Sequence, residues 1–415
     1  FRQAARSVAI TVVERDPHYR LASTPRSVGS IRLQFSNAEN ILLSQWSSSF
    51  MRSGNINNDD GNDSIQFRNG AYLFSATTNT GALQLKRNCD LQTSLGATTE
   101  FIDCRNDIVR RFPWLGADKV MAVAVGGEGE GWFDPMLLLS ALRQACIDAD
   151  VAFVKGSVDK FVLGANDNVI GAQVTTSDGA ALVSADKAVL ACGAFSRSVL
   201  TSTFDGDDMA AAAVVPVEPR KRVVFVVESS SPVCVGDFDR DGLPLLFIDG
   251  TSGTYVRCES STGGGTSGTT RFITGVSPPP HLDTPIDTTT GDSDVFDVTE
   301  RDYAELFEGI IWPALAEKVP VKFDALRVRS SWAGFYEYNT IDQNGIVGNL
   351  ANHPNLYVAT GFSGHGVQQA LGVGHALAAN ILTDGEQWPP ALDLTRMSPQ
   401  RFADRSQWLL EQNVV

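Results

Sequence analysis

The stretch Val8-Ala9-Ile10-Thr11-Val12-Val13-Glu14-Arg15-Asp16 decides how this chain of 415 residues is interpreted. Its run of apolar and β-branched residues predicts a buried strand that ends at Glu14. In a Rossmann-type unit, an acid at the end of the second strand hydrogen-bonds the ribose hydroxyls of a dinucleotide. Residues 1–6 are expected to form the last turns of the preceding helix.

The glycine turn G-x-G-x-x-G, which belongs about 20 residues before such an acid, does not precede Glu14. Its strand is normally central, between strands such as 8–13 and the predicted strand 187–193. Without it, a parallel sheet would have two rows of unpaired backbone groups, each costing about 1–3 kcal/mol when buried. We therefore expect that the sequence lacks its natural start or that another segment fills the gap.

The composition of the chain argues against several classes of protein function. The chain is 43% hydrophobic and 20% charged, which is ordinary for a globular protein. No apolar run reaches the length of a transmembrane helix. The net charge of −15 argues against a nucleic-acid surface. Six cysteines without a C-x-x-C spacing and five histidines without an H-x-x-x-H pair argue against a disulfide framework and a metal site.

Helix and strand patterns alternate near the start, in the middle and near the end of the chain. Helices are predicted at 37–52, 136–150 with Asp134 as N-cap, 300–319 and 367–382. Strands are predicted at 120–125, 151–154, 158–163, 169–175, 187–193, 327–338 and 355–360, with a hairpin around Asn69-Gly70. This predicts an α/β fold with a discontinuous Rossmann-like nucleotide domain and an inserted mixed, largely antiparallel β-sheet domain.

The predicted boundaries follow from these elements. The nucleotide domain comprises residues 1–52, 132–213 and 331–388. The inserted domain comprises residues 53–131 and 214–330. Residues 389–415 form a C-terminal tail that is expected to pack on the surface.

The turn Thr360-Gly361-Phe362-Ser363-Gly364-His365-Gly366 lies between a predicted strand and a predicted helix. Free N–H groups and the helix dipole attract negative charge there, which suits the pyrimidine end of a reduced flavin. The alternative is a glycine-rich connection that only packs the helix on the sheet. Gly126–Gly131 is interpreted as a turn, because its two glutamates would repel phosphate.

Several other side chains permit two interpretations each. Arg26 and Arg32 either face an anionic ligand or are surface charges. His365 is either a base beside a flavin or a histidine satisfied by the backbone. Alternating aromatic residues either line a pocket or belong to a half-buried strand, namely Trp332, Tyr336 and Tyr338. The basic run Pro219–Arg222 is expected to mark the surface entry to a strand.

Short motifs along nearly the whole chain resemble the FAD-dependent oxidoreductases of the D-amino-acid oxidase and sarcosine oxidase type. These motifs are Val12–Asp16, Ala22–Thr24, Ser27–Gly29, Gln34–Ser36, Glu39–Ile41, Glu130–Pro135, Pro216–Arg222, Ser331–Tyr336, Asn339–Thr340, Asp342–Gly345, Gly361–Gly366 and Gln368–Ala370.

The resemblance implies an FAD site whose residues come from both ends of the chain. Glu14 and Arg15 would hold the adenosine, and Val158 would offer its backbone to the adenine. The pyrophosphate and ribityl chain would be followed by Ser23, Thr24, Ser27 and Gly29. Ala191, Gly193 and Ser196 would border the cofactor. The isoalloxazine would lie at the glycine-rich turn, with Gly361, Gly364, His365, Gly366 and Gln368. The candidate catalytic residues are Arg32, Tyr336, His365 and Gln368.

Two departures from the family pattern limit what is implied. Phe335 stands where bacterial monomeric sarcosine oxidases carry the flavin-linking cysteine, so FAD is expected to be non-covalent. Gln368 replaces a lysine that pairs with the substrate carboxylate in those enzymes. This replacement argues against amino-acid substrates.

The match is close to one mitochondrial branch of the family, which is linked to the assembly of respiratory complex I. It implies an FAD-dependent oxidoreductase-like protein on the matrix side of the mitochondrion, with peripheral attachment to the inner membrane as one option. Complex I subunits or assembly intermediates would be its partners. Two alternatives stay open: a flavin-free structural subunit of a respiratory assembly, and a free-standing amine or amino-acid oxidase.

Overall fold

The structure is a computed structural model in which the description covers residues 8–54, 56, 64–164, 167–204, 215–229, 239–240, 243–262, 269–287, 293–320 and 322–413. The helical turns predicted at residues 1–6 lie outside the described residues.

Within the described residues, nine strands form the largest sheet. From one edge to the other, eight of them are Leu326–Asn339, Val217–Ser229, Thr269–Gly275, Tyr255–Thr262, Leu243–Ile248, Ala71–Ala76, Ala122–Val125 and Glu100–Ile102. The ninth, Asp239–Arg240, pairs with Leu243–Ile248. Neighbours are antiparallel, except that Leu243–Ile248 runs parallel to Ala71–Ala76. This is the predicted mixed, largely antiparallel sheet.

The predicted hairpin around Asn69-Gly70 is wrong. Strand Arg68–Asn69 pairs with Gly131–Trp132, which also pairs with Ser30–Ile31. Strand Ala71–Ala76 instead enters the largest sheet. The Gly70 amide donates to the Glu130 carbonyl at 3.0 Å, so the chain stays extended through this dipeptide and does not reverse.

The nucleotide part contains two sets of parallel strands. Thr11–Glu14 runs parallel to Ala152–Lys155. Ala188–Leu190 runs parallel to His353–Thr360, and Ile346–Leu350 joins the same sheet in the antiparallel direction. In the part of the chain that the structure describes, these two sheets are not hydrogen-bonded to each other. An antiparallel meander adjoins them, with strands Ser157–Leu163, Val169–Thr176 and Gly179–Ser184.

The helices predicted at 37–52, 136–150 and 367–382 are present, and in the described part of the chain three helices that were not predicted accompany them. Their bounds are Ala38–Arg52, Asn79–Ser94, Arg105–Arg111, Pro135–Asp148, Ser196–Thr203 and Gly366–Leu382. Asp134 caps its helix as predicted, accepting from the Met136 and Leu137 amides at 2.8 and 3.0 Å. The predicted helix 300–319 has three parts: α-helical Glu300–Asp302, π-helical Tyr303–Ile311 and α-helical Trp312–Lys318.

One long strand joins the two parts of the fold. Leu326–Asn339 pairs with Val217–Ser229 along nearly its whole length, from Leu326 opposite Ser229 to Asn339 opposite Val217. It therefore crosses the predicted domain boundary at residue 331 without a break. Its later residues reach the nucleotide part.

The C-terminal tail does not pack on the surface as predicted. Apolar side chains of the tail are buried with the helix Gly366–Leu382, namely Leu392, Leu394, Met397 and Leu409. Arg401 is buried too and pairs with Asp342 through Nε at 2.8 Å and Nη2 at 3.0 Å. Tail and core therefore share one hydrophobic cluster.

Together these elements give the predicted α/β architecture. A Rossmann-like part built from separate stretches of the chain stands beside a mixed β-sheet part. Of the helices described, none combines the length and apolarity that crossing a bilayer requires.

Candidate functional site

A cavity of about 840 Å³ lies where the two parts of the fold meet. Strand ends of the nucleotide part border it on one side, and strands of the largest sheet border it on the other. The cavity receives most of the predicted residues: Glu14, Arg15, Ser23, Thr24, Ser27, Arg32, Val158, Ala191, Gly193, Tyr336, Gly364, His365, Gly366 and Gln368. Residues near both ends of the chain thus converge on one space.

Three predicted residues lie beside the lining. Gly29 has a φ of +64°, and a Cβ there would lie 2.1 Å from the Phe133 carbonyl oxygen. Close contact between two backbone segments therefore explains this glycine. Ser196 is buried and donates to Thr360 Oγ1 at 3.0 Å. The Gly361 amide donates to Glu337 Oε2 at 3.1 Å.

The adenosine end of the predicted site is built around Glu14. Its Oε1 accepts the Asp16 amide at 2.8 Å, which holds the carboxylate at the strand end. The Arg15 guanidinium lies 3.9 Å from the centre of the Phe195 ring. Phe195 belongs to the short turn Gly193–Phe195, so this contact connects the two nucleotide sheets across the cavity.

The middle of the cavity is bordered by the loop that begins at Ser23. Its hydroxyl donates to the Phe335 carbonyl at 2.7 Å, so the loop is fixed to the long strand. Ser27 Oγ accepts the Gly29 amide at 3.1 Å. Arg26 is not a surface charge: it donates to the Ala333 carbonyl at 2.7 Å and stacks 4.2 Å from the centre of the Phe296 ring.

At the far end, the turn 361–366 precedes the helix Gly366–Leu382. Gly364 has a φ of +98°, and a Cβ there would lie 2.4 Å from the Tyr336 ring. A Cβ on Gly366 would lie 3.0 Å from Glu337 Oε1. Glycines at both positions therefore let the turn lie against the long strand while the helix N-terminus faces the cavity.

An aromatic chamber, defined by Arg32, Tyr72, Arg222, Tyr255 and Tyr336, forms the part of the cavity next to the largest sheet. Burial raises the pKa of all three tyrosine hydroxyls, to about 12 for Tyr72. They are therefore neutral near pH 7 and act only as hydrogen-bonding groups.

Arg222 is not the surface residue that the basic run predicted. It is buried, and its Nη1 and Nη2 pair with Asp283 at 2.7 and 3.0 Å. Its guanidinium carbon also lies 4.8 Å from the centre of the Tyr336 ring. Pairing with the Asp283 carboxylate offsets the cost of desolvating this cation. The basic run Pro219–Arg222 can therefore enter the interior.

Arg32 and His365 form a second buried pair. Arg32 Nη2 lies 3.1 Å from His365 Nε2. Burial and the adjacent Arg32 charge hold the pKa of His365 well below its usual value, so the imidazole is neutral. Since arginine can only donate, Nε2 accepts and the proton sits on Nδ1. His365 therefore orients Arg32, and Nε2 does not face a substrate as a base.

Gln368 supports the same arrangement from the helix. Its Oε1 accepts the Arg32 amide at 2.9 Å. Arg32 itself packs over Phe35 and Phe74, at 4.6 and 5.3 Å from the ring centres. Arg32 is thus held from three sides.

Glu337 is a lining residue that the sequence did not single out. Its Oε2 accepts from Thr360 Oγ1 at 3.0 Å and from the Gly361 amide. Burial raises its pKa from 4.5 to about 7, and these hydrogen bonds oppose the rise. In the described residues, no ion pair includes Glu337. Its place two residues after Phe335 on a strand, and hence on the same face, was the available signal.

The lining fits the donor chemistry of FAD. An acid stands at the ribose end, a hydroxyl-bearing loop borders the middle, and a helix N-terminus with two glycines faces the other end. Phe335, which lines the cavity, offers no atom for a covalent bond to a flavin.

Comparison with known proteins agrees with this geometry. Residues 2–380 match the family model DAO, described as FAD dependent oxidoreductase. The FAD-dependent oxidoreductase domain-containing protein 1 of Xenopus laevis is 34% identical, over 99% of this chain and 79% of that protein. The protein of the same description from Bos taurus is 35% identical, over 91% of this chain and 76% of that protein.

Solved structures share the fold. L-proline dehydrogenase from P. horikoshii superposes with a TM-score of 0.71 at 22% identity, covering 96% of this chain and 92% of that one. Glycine oxidase from Geobacillus kaustophilus superposes with a TM-score of 0.67 at 19% identity, covering 95% and 92%. Since the family match extends over residues 2–380, the chain belongs to the DAO family of FAD-dependent oxidoreductases.

Proposed function

We propose that this chain binds FAD non-covalently in the cavity and oxidises an amine donor in the aromatic chamber. One observation carries the proposal: twelve of the fifteen residues expected to hold the cofactor, from Glu14 to Gln368, line one continuous space. Bound FAD supplies the chemistry of hydride acceptance, while the protein binds, orients and desolvates the reactants.

The chamber's own residues support an amine donor. Tyr72, Tyr255 and Tyr336 are neutral and accept or donate hydrogen bonds without adding charge. Neutral His365 adds no charge either. Packing among neutral side chains lowers the solvation of a bound amine, which favours the uncharged form from which a hydride can leave. Glu337, at the cavity wall, can hold or release a proton near pH 7.

The test is the absorption spectrum of the purified full-length chain beside its intact mass. We expect the absorption bands of oxidised flavin. After denaturation the flavin should pass through an ultrafiltration membrane, and the protein should carry no added mass. Glu14→Ala should lower flavin occupancy, whereas Glu128→Ala, whose side chain is 77% exposed, should not. A folded, intact chain without flavin would overturn the proposal and favour a flavin-free structural subunit.

We also propose a mitochondrial, matrix-side location and an association with respiratory complex I or its assembly intermediates. The support is the resemblance to the mitochondrial branch and the identity of about a third with the two vertebrate relatives. Comigration of the tagged chain with complex I intermediates on native gels of mitochondria is the test. A chain that stays free and oxidises N-methyl amines would instead be a free-standing amine oxidase.

A further inference from the structure

The end of the tail reaches the aromatic chamber. The C-terminal strap, defined here as Leu409–Asn413, begins where the Leu409 amide donates to Asp342 Oδ2 at 2.9 Å. Asn344 Nδ2 donates to the Leu409 carbonyl at 3.1 Å. The strap therefore starts from a fixed point in the core, next to the buried pair of Asp342 and Arg401.

Glu411 anchors the middle of the strap. Its Oε1 accepts from the amide and hydroxyl of Ser36 at 2.9 and 2.8 Å. Its Oε2 accepts from Asn40 Nδ2 at 2.8 Å and Asn37 Nδ2 at 3.2 Å. Oε1 also accepts the Asn413 amide at 2.9 Å, so five donors hold a carboxylate that is 1% exposed.

Asn413 carries the strap to Arg32. Its Nδ2 donates to the Gln34 carbonyl at 3.1 Å, and its Oδ1 accepts from Asn88 Nδ2 at 3.3 Å. Its backbone carbonyl accepts a hydrogen bond from Arg32 Nη2. The same Nη2 lies 3.1 Å from His365 Nε2, so both of its N–H groups are used within the protein.

Nη2 belongs to both edges of the guanidinium that can pair with a carboxylate. A carboxylate pairs bidentately through two neighbouring nitrogens, either end-on with Nη1 and Nη2 or side-on with Nε and Nη2. Because both edges include Nη2, Arg32 has no complete edge left. The other arginine of the chamber is also occupied, since Asp283 takes Nη1 and Nη2 of Arg222.

We infer that the C-terminal strap determines substrate class by keeping carboxylates off Arg32. This rests on the proposed function. With the strap in place, the chamber accepts amines that carry no carboxylate next to the reacting carbon, and it rejects α-amino acids. Asn413 is the specificity-determining residue through its backbone carbonyl, and Glu411 is the residue that positions it.

The test is a titration of the full-length holoprotein with acetate, propionate and benzoate. The readouts are the visible flavin spectrum and the thermal midpoint. Wild type and Gln412→Ala, an exposed position in the same strap, should bind these probes weakly and equally. Glu411→Ala should bind them at least about tenfold more tightly, a gain of about 1.4 kcal/mol, because it frees a charged donor. Adding Arg32→Met should abolish that gain.

A chain that ends at Gln412 provides a second variant, which lacks the carbonyl but keeps the anchor. Tight, Arg32-dependent carboxylate binding by wild type would overturn the inference. So would equally weak binding by both folded strap variants. If the chain lacks flavin, the proposed function fails, while the thermal midpoint still reports whether the strap and carboxylates compete for Arg32.

Discussion

Two glycine-rich turns of this chain look alike in sequence and differ in what they do. Gly126–Gly131 and Gly361–Gly366 each lie against a carboxyl group whose pKa burial raises from 4.5 to about 7, Glu130 and Glu337 respectively. Glu130 accepts from the Leu33 and Tyr72 amides at 2.9 and 2.8 Å and lies outside the cavity lining. Glu337 lines the cavity.

Glycine-rich sequence therefore indicates closely packed backbone in both turns, and only access to the cavity distinguishes the turn at the candidate site. At the first turn, the glycines bring Glu130 to donors of neighbouring segments, and the carboxylate holds those segments together. At the second, the glycines let a helix N-terminus and a carboxyl group face the same space. Four experiments test whether the two turns differ in this way.

The largest effect is expected from Gly131→Ala. A Cβ there would lie 2.1 Å from the Arg68 carbonyl oxygen, on backbone with a φ of +156°. Backbone must move, so we expect a loss of about 3 kcal/mol or more in the free energy of unfolding, measured with urea. Gly364→Ala meets the Tyr336 ring instead of backbone, although its φ of +98° adds strain. It should lose less stability than Gly131→Ala but should lower the flavin occupancy of the folded fraction, and equal losses of stability would contradict the comparison.

The next largest effect is expected from Glu130→Gln. Both Glu130 oxygens accept hydrogen bonds, the second from Tyr72 and, at 3.4 Å, from Gln34 Nε2. An amide NH₂ in place of one oxygen would face a donor, at a cost of about 1–3 kcal/mol in unfolding free energy. Flavin occupancy of the folded fraction should be unchanged. A flavin loss larger than the loss of folded protein would argue that this turn also belongs to the site.

Glu337→Gln should change pH dependence more than stability at neutral pH. The raised pKa of Glu337 means that the native state binds more protons than the unfolded state between pH 4.5 and about 7. Stability from this group is complete below pH 4.5 and is lost as the pH rises through 7. The variant should flatten that decline in urea unfolding series and remove a pH-dependent change in the flavin spectrum. Glu130→Gln should flatten the decline too but leave the spectral change.

The smallest effect is expected from Thr360→Val. The Thr360 hydroxyl bonds to Glu337 and lowers its pKa against the effect of burial. Removing it should move the Glu337 titration to higher pH, followed by the infrared band of the protonated carboxyl group. Thr340→Val, at an exposed position, is the control. An unchanged or lower midpoint would contradict the proposed hydrogen bond.

Local features were predictable from the sequence because they depend on neighbouring residues. Asp134 before Pro135 indicates the start of a helix. The helices predicted at 37–52 and 367–382 each differ from the structure by one residue. The strand–turn–helix at Gly361 was also clear. Family motifs then supplied the fold class and the set of residues that converge on the cavity.

The features that were missed or wrongly predicted have a common physical cause: they depend on contacts between segments that are distant in sequence. Tyr72, Arg222 and Tyr255 meet only because three strands distant in sequence take particular places in one sheet. The dipeptide Asn69-Gly70 is typical of a hairpin, but its two flanking strands pair with other strands and not with each other. Glu411 gives no local sign that its donors lie near residue 36.

The contacts of the strap join residues that are far apart in the order of synthesis. Glu411 and Ser36 are separated by 375 positions along the chain. Arg32 is synthesised 381 residues before Asn413, whose carbonyl accepts from Nη2. In a nascent chain that does not yet reach residue 413, Nη2 lacks this acceptor, and an anion meets less competition for Arg32.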